Sequence, residues 1–435
     1  MGKRVQIQRG ESGVWIPVFL STYRPDAIFI EFISFSYVSH KFTGSNPSIN
    51  IYRKLRKLII VRSMYLEKLY TENFRNVQTR EIRFSRGINL FFGNNGQGKT
   101  NLLEAVYFLG NLKSFRKARR NQLLMWDQDR FGLKGIATDE KTGEKASLET
   151  IYNQGRTQSR IDGEEVGRLE DYLSRMPVVA FHPESLSVLK GGPAFRRAFI
   201  DRGIFWEDRS HLPLLKGYNR VLAERRWILK NGRRSMLEVW NRRLADMAVD
   251  LALARASYCG RLNREMGGQS SFPGEAGPVE LRYRPSVEVD AGGGKPLEDL
   301  KRRIRERVEA QIGGGEGQGA SQAGPHRDEF RVFGAGRDLA EFGSQGQQRE
   351  ALLRLVLAQA ALAGRGEAGA PLLVLDDVMS ELDRGRAEWL HRALESVQSQ
   401  VFISALEPIP LRGRSGAAWK FAVRRGEIEQ TEAAA

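Results

Sequence analysis

Gly93-Asn94-Asn95-Gly96-Gln97-Gly98-Lys99-Thr100 fits G-x-x-x-x-G-K-[ST], the loop whose backbone N–H groups cradle nucleotide phosphates. Before it, Gly87 to Phe92 alternates apolar residues as a half-buried strand does. After it, Leu102, Leu103, Ala105, Val106 and Leu109 have helical spacing. A strand, a glycine loop and a helix start make an anion site, because unpaired helix N–H groups and the helix dipole converge there. Lys99 is then expected to reach the β- and γ-phosphates, and the Thr100 hydroxyl to ligate Mg²⁺. A mere glycine-rich turn carrying Lys-Thr leaves the flanking pattern unexplained.

Two later stretches narrow what the loop serves. Pro371 to Leu375 is an apolar run that ends in paired carboxylates, Asp376 and Asp377. A buried parallel strand delivering acid at its C-terminal end is what a Mg²⁺-nucleotide site requires. Asp376 is expected to hold Mg²⁺ through water, and Asp377 to orient the attacking water or accept its proton. The alternative is that this acid pair caps the following helix, to which the D-loop stretch Ser380-Glu381-Leu382-Asp383 reads as the entry. The other stretch is Phe342-Gly343-Ser344-Gln345-Gly346-Gln347-Gln348-Arg349, ahead of a helical run from Leu352 to Leu362. Read alone, Ser344-Gln345-Gly346-Gln347 is an N-cap. Between the phosphate loop and the Asp-Asp strand it resembles the signature loop of ATP-binding-cassette ATPases. That resemblance implies a loop acting in trans: it caps the γ-phosphate held by a second copy, so two ATP molecules are sandwiched in a head-to-tail homodimer. The physics is again an anion at a helix start.

The bulk numbers suit such a protein. The chain has 435 residues, enough for two or three domains, with 41% hydrophobic and 28% charged residues. A net charge of +16 favours a polyanionic partner, nucleic acid first and an acidic membrane surface second. The single cysteine, Cys259, forms no internal disulfide and no zinc cluster, and the histidines at 40, 182, 211, 326 and 391 make no metal pattern. No apolar run reaches the roughly 18 residues of a membrane helix. The longest, Ala27 to Val38, is interrupted by Glu31.

Residues 1–63 lack a sustained period and end in the basic patch Arg53-Lys54-Leu55-Arg56-Lys57. They are expected to be an N-terminal extension, outside the family pattern or disordered, with the working domain starting at Met64. Residues 64–190 read as strands around the phosphate loop, the N-terminal part of an ATPase domain. Arg116 or Lys117, in the basic stretch after the first helix, is placed to fold back toward the phosphates. Residues 191–312 form a helical lobe whose polar faces carry Arg225, Arg226, Lys230, Arg233 and Arg234, candidate DNA contacts or a solvated cationic face. A second basic helix is expected over 297–311. Residues 313–435 complete the ATPase domain with the signature and the acidic strand.

From Met64 to about Leu406 the chain resembles the RecF family of bacterial recombination mediators, ATPases of the ATP-binding-cassette class related to SMC proteins. The resemblance is carried by Asn73-Phe74-Arg75-Asn76, Gly93 to Thr100, Ser114-Phe115-Arg116, Val178 to Asp201, Gly324-Pro325-His326-Arg327-Asp328, Gly343 to Arg349 and Leu375 to Asp383. It implies an α/β fold: an ABC-type ATPase head, with a parallel or mixed sheet and an antiparallel β subdomain, and an inserted mostly helical lobe. It also implies a cytoplasmic, weakly DNA-stimulated ATPase that uses ATP and Mg²⁺ as a conformational switch. Such a protein binds single-stranded or gapped DNA and junctions, dimerises on ATP, and works with RecO and RecR to load RecA in repair, replication and the SOS response. Two features depart from the family: residues 1–63, and Ser404-Ala405-Leu406 where a threonine-rich or histidine switch is usual. Other readings fit less well. A transport ATPase needs a glutamine-loop coupling segment, a GTPase needs N-K-x-D, a kinase has no use for the Ser344 loop, and a bare scaffold has no use for Lys99, Thr100, Asp376 and Asp377.

Overall fold

Ile88 and Leu90 point to one side of their strand and Phe91 to the other, and each side meets a different hydrophobic core. The same alternation recurs at Leu373 and Leu375 against Leu372 and Val374, and at Val401 and Ile403 against Phe402. Near-continuous apolar strands of this kind belong in a sheet covered on both faces.

The computed structural model describes residues 6–9, 15–18, 64–140, 142–232, 236–268, 276–286, 302, 305–306, 324–379, 384–396, 398–413 and 416–432. The chain forms two units, residues 1–59 and 60–435. In the first, β1 (Gln6–Arg9) pairs antiparallel with β2 (Trp15–Val18). The rest of 1–63 lies outside the described residues.

The second unit begins with β3 (Met64–Glu72), β4 (Glu81–Arg83), β5 (Ile88–Phe92) and helix α1 (Lys99–Asn111). Next come β6 (Arg130–Asp139), β7 (Lys145–Asn153), β8 (Arg156–Ile161), β9 (Glu164–Glu165) and β10 (Val178–Phe181). Three helices follow: α2 (Pro193–Glu207), α3 (His211–Lys230) and α4 (Leu237–Gly268). After β11 (Val279–Arg284), β12 (Glu329–Gly334) and β13 (Arg337–Asp338) come α5 (Gln345–Ala363), β14 (Leu372–Leu375) and α6 (Arg384–Ser396). The last strands are β15 (Val401–Ala405), β16 (Arg412–Gly413), β17 (Gly416–Ala417), β18 (Trp419–Arg424) and β19 (Glu427–Glu432).

The central sheet has the order β10-β14-β15-β5-β18-β19. Every neighbouring pair is parallel except β18 with β19. A second sheet, β4-β3-β6-β7-β8-β9, is antiparallel throughout. Helix α1 packs between the two, and all its residues from Leu102 to Asn111 are buried. A helix covered all round must be apolar all round. Its one acid, Glu104, is neutralised by Arg75 at 2.9 Å and accepts a hydrogen bond from Ser114. The opposite face of the central sheet is covered by α5 and α2. This is the α/β head, with mixed and antiparallel sheets, that the sequence implies.

Helices α3 and α4 pack through Tyr218, Val221, Leu244, Ala248, Val249 and Leu251. At their root lies a buried ionic cluster. Arg255, 2% exposed, binds Asp201 through Nε at 2.9 Å and Nη2 at 2.8 Å, and Asp328 through Nη1 at 2.9 Å. His211 bonds Asp201 at 3.0 Å, and Tyr283 donates to Asp328 at 2.7 Å. Asp201 comes from α2, Arg255 from α4 and Asp328 from the 324–328 motif, so the cluster ties these three segments together.

One candidate DNA contact is corrected here. Arg225 is 1% exposed, and its Nε donates to Asn241 at 2.8 Å. It shares the inward face of α3 with Tyr218, Val221 and Ile228, so it fastens α3 to α4 and does not meet solvent. Arg226 and Lys230 are exposed, whereas Arg233 and Arg234 lie outside the described residues. Of the helix expected over 297–311, only 302, 305 and 306 are described.

Candidate functional site

The phosphate loop leaves the buried strand β5 and turns on glycines that no other residue replaces cheaply. Gly96 and Gly98 have φ of +79° and +112°. A Cβ on Gly93 would stand 2.5 Å from the Val423 carbonyl oxygen. Gly98 is the N-cap of α1, no side chain caps it, and the first turn holds no acid, so the helix start is suited to an outside anion. Asn94, Asn95 and Gly96 are exposed. Lys99 lies across the loop, with Nζ donating to the carbonyls of Gly93 and Asn94. Burial pulls its ammonium below the usual value, opposed by Asp377 and Asp376.

The acidic pair arrives on β14, two strands away from β5. Thr100 Oγ1 donates to Asp376 Oδ1 at 3.1 Å, and Ser404 Oγ donates to the same oxygen at 2.8 Å. Burial pushes the Asp376 carboxyl above its usual value; the two hydroxyls and Arg116 oppose this, and Asp377 adds to it. A hydroxyl beside a desolvated carboxylate is a hard-oxygen pair that fits Mg²⁺, which takes its other ligands from phosphates and water. Among the described residues no group of three or more His, Cys, Asp or Glu could cage a metal. Asp377 is exposed, in a left-handed conformation with φ of +55°, and its N–H donates to Ser404 Oγ at 2.8 Å. Ser404 thus holds both acids in place, a role that its position in the sequence did not reveal.

Arg116 does fold back, donating from Nη1 to Asn101 Oδ1 at 2.9 Å beside Glu104. Lys117 points elsewhere, with Nζ 3.8 Å from the centre of the Phe195 ring. The loop has a further support. Gln97 accepts from two consecutive N–H groups of the β18–β19 turn: its Oε1 from Arg425 and its carbonyl from Gly426, each at 2.8 Å. Gly426, with φ of +85°, also touches Asn76, whose Oδ1 accepts from Asn101 at 2.7 Å.

The signature stretch caps α5. Ser344 Oγ accepts from Gln347 N–H at 3.2 Å, and Gln347 Oε1 accepts from Ser344 N–H at 3.0 Å. Ser344, Gln345 and Gly346 are exposed. Gly346 also lines a small cavity with Asp376, Asp377, Arg349 and Arg386, joining the start of α5 to the acidic strand end. Ser380 to Asp383 lie outside the described residues. Among those described, no helix is long and apolar enough to cross a membrane.

The chain is similar to known proteins in sequence and in fold. The family described as RecF/RecN/SMC N terminal domain matches residues 65–414. The DNA replication and repair protein RecF of Geobacter metallireducens is 35% identical over 360 residues, spanning 80% of this chain and 94% of that protein. RecF of Heliobacterium modesticaldum is 33% identical over 386 residues, spanning 85% and 100%. A solved structure of the recombination mediator RecF with ATP, in the RecFOR pathway, matches with a TM-score of 0.75 and 27% identity, covering 85% of this chain and 100% of that one. An Smc head bound to the C-winged helix domain of ScpA matches with a TM-score of 0.51 and 15% identity, a likeness of fold alone.

Proposed function

Because this chain belongs to the RecF family, we propose that it is a DNA repair ATPase in which two copies close on two ATP molecules and so clamp DNA. Residues 64–190 and 313–435 serve as one ATPase domain, residues 191–312 as the lobe inserted in it, and residues 1–63 as an extension. The observation that carries the reading is the exposed, self-capped helix start at Ser344, on the same chain as a complete phosphate loop.

Lys99 exchanges its carbonyl acceptors for β- and γ-phosphate oxygens, and the loop N–H groups bind the rest of the chain of phosphates. Thr100 and Asp376 would hold Mg²⁺, which would neutralise charge on those oxygens. Asp377 orients the attacking water and takes its proton, while Ser404 keeps the two acids apart and aimed. Ser344 and Gly346 of the second copy present the α5 start to the γ-phosphate, which closes the dimer. Hydrolysis removes the anion that both copies share, and the clamp opens.

In this role the protein acts in the cytoplasm with RecO and RecR on gapped or single-stranded DNA and at junctions, aiding RecA loading. The relative solved with ATP carries the description of a recombination mediator in the RecFOR pathway, which supports that setting. Exposed cations such as Arg226 and Lys230 supply phosphate contacts, so binding should weaken steeply with salt. Sedimentation with and without ATP tests the clamp. Lys99→Ala should lose ATP binding, and Ser344→Arg should keep it but stay monomeric. A dimer equally strong without nucleotide would refute the reading.

A further inference from the structure

Two large apolar side chains stand exposed beside the two halves of the nucleotide site. Phe342, two residues before Ser344, is 69% exposed, and Leu406 is 48% exposed. Leu406 belongs to the phosphate-loop edge, because its carbonyl accepts from Gly93 N–H at 3.2 Å. The carbonyl of Gly93 in turn accepts from Lys99 Nζ, so Leu406 sits close to where a γ-phosphate meets that lysine. Phe342 can be no farther from Ser344 than two extended residues, about 7 Å. Its short helix buries Leu339 instead, and β15 ends at Ala405. Single exposed apolar residues are ordinary on a protein surface. One on each of two edges that a head-to-tail pair would bring together is a different matter.

We propose that Phe342 of one copy packs on Leu406 of a second copy, forming an apolar seal at the rim of each shared nucleotide. This rests on the head-to-tail reading above. The partner is a second copy of this chain, since the seal continues the surface that joins Ser344 to Lys99. The contact removes apolar area from water only in the dimer, so it strengthens association without changing how one copy holds nucleotide. It also limits access of bulk water to the reacting phosphate.

The test uses full-length protein with ATPγS and Mg²⁺, measuring dimerisation by sedimentation equilibrium and nucleotide binding by fluorescence. Phe342→Lys should bind nucleotide within about twofold of wild type but dimerise at least about tenfold more weakly. Leu406→Glu, whose carboxylate lies near the phosphates, should dimerise at least about tenfold more weakly when measured at saturating ATPγS. An equal mixture of these two proteins should dimerise about tenfold better than either alone. Each mixed dimer keeps one Phe–Leu contact and gains one between the introduced ammonium and the introduced carboxylate. The milder Phe342→Ala and Leu406→Ala should each weaken the dimer by about threefold or more. Single variants that dimerise like wild type, or a mixture no better than its components, overturn the seal and leave the sandwich intact. Wild-type protein that fails to dimerise with nucleotide overturns both.

Discussion

Replacing Gly426 by alanine puts a methyl carbon 1.7 Å from the Asn76 carbonyl oxygen, where real contacts stay beyond 3.0 Å. The gap must therefore open by about 1.3 Å (3.0 minus 1.7). The left-handed φ of +85° adds backbone strain of about 1 kcal/mol for a residue with a Cβ. The displacement cannot stay local, because Gly426 N–H and Arg425 N–H both hold Gln97. A shift of about 1 Å in positioned groups can cost about a hundredfold in rate, so we expect ATP affinity to fall at least tenfold, about 1.4 kcal/mol. Stability should fall by about 2–3 kcal/mol. Gly336→Ala is the matched control. Its φ is +79°, but nothing lies within 4 Å of the new methyl, so it should lose about 1 kcal/mol of stability and no ATP affinity. Titration calorimetry with ATP, alongside urea unfolding, separates the two. If both variants bind ATP like wild type, the β18–β19 turn does not position the loop.

Arg255→Met leaves Asp201 and Asp328 buried with only part of their partners, and should cost about 3–5 kcal/mol in urea unfolding. A loss below about 1 kcal/mol would mean the cluster contributes little. Burial pushes the Asp201 carboxyl up, but hydrogen bonds from His211 and Arg255 outweigh it and hold the group below its ordinary 3.8. Its contribution is therefore complete above that value and lost as pH falls through the lower folded value. Unfolding free energy should drop below pH about 4, and Asp201→Asn should flatten that drop; an unchanged slope would contradict it. Arg226→Glu with Lys230→Glu should weaken DNA binding and lower the salt slope by about 1–2 while nucleotide binding holds. Arg225→Ala should instead destabilise the lobe and leave that slope unchanged, as melting and DNA titrations at several salt concentrations would reveal.

What the sequence made legible was whatever a contiguous stretch encodes. The phosphate loop, its strand and helix, the acid-tipped β14 and the capped start of α5 each declare themselves within about ten residues. Chain order then linked them. The Gln97–Arg425 contact joins residues 328 positions apart, and no periodicity reports such a pairing. The Asp201–Arg255–Asp328 cluster was hidden for the same reason. Arg225 is a different failure. Charge groups it with its neighbours, although Tyr218, Val221, Arg225 and Ile228 recur at the spacing of one buried helix face. Position on the helix, not residue type, decided whether that guanidinium met water.

The strand that leads into the phosphate loop is clasped by β15 on one side and β18 on the other, both encoded more than 300 residues downstream. During translation at about 5–20 residues per second, β5 waits on the order of half a minute with both edges bare. A message cut short before codon 401 would still encode every residue of the glycine loop and yet yield no place to put a phosphate.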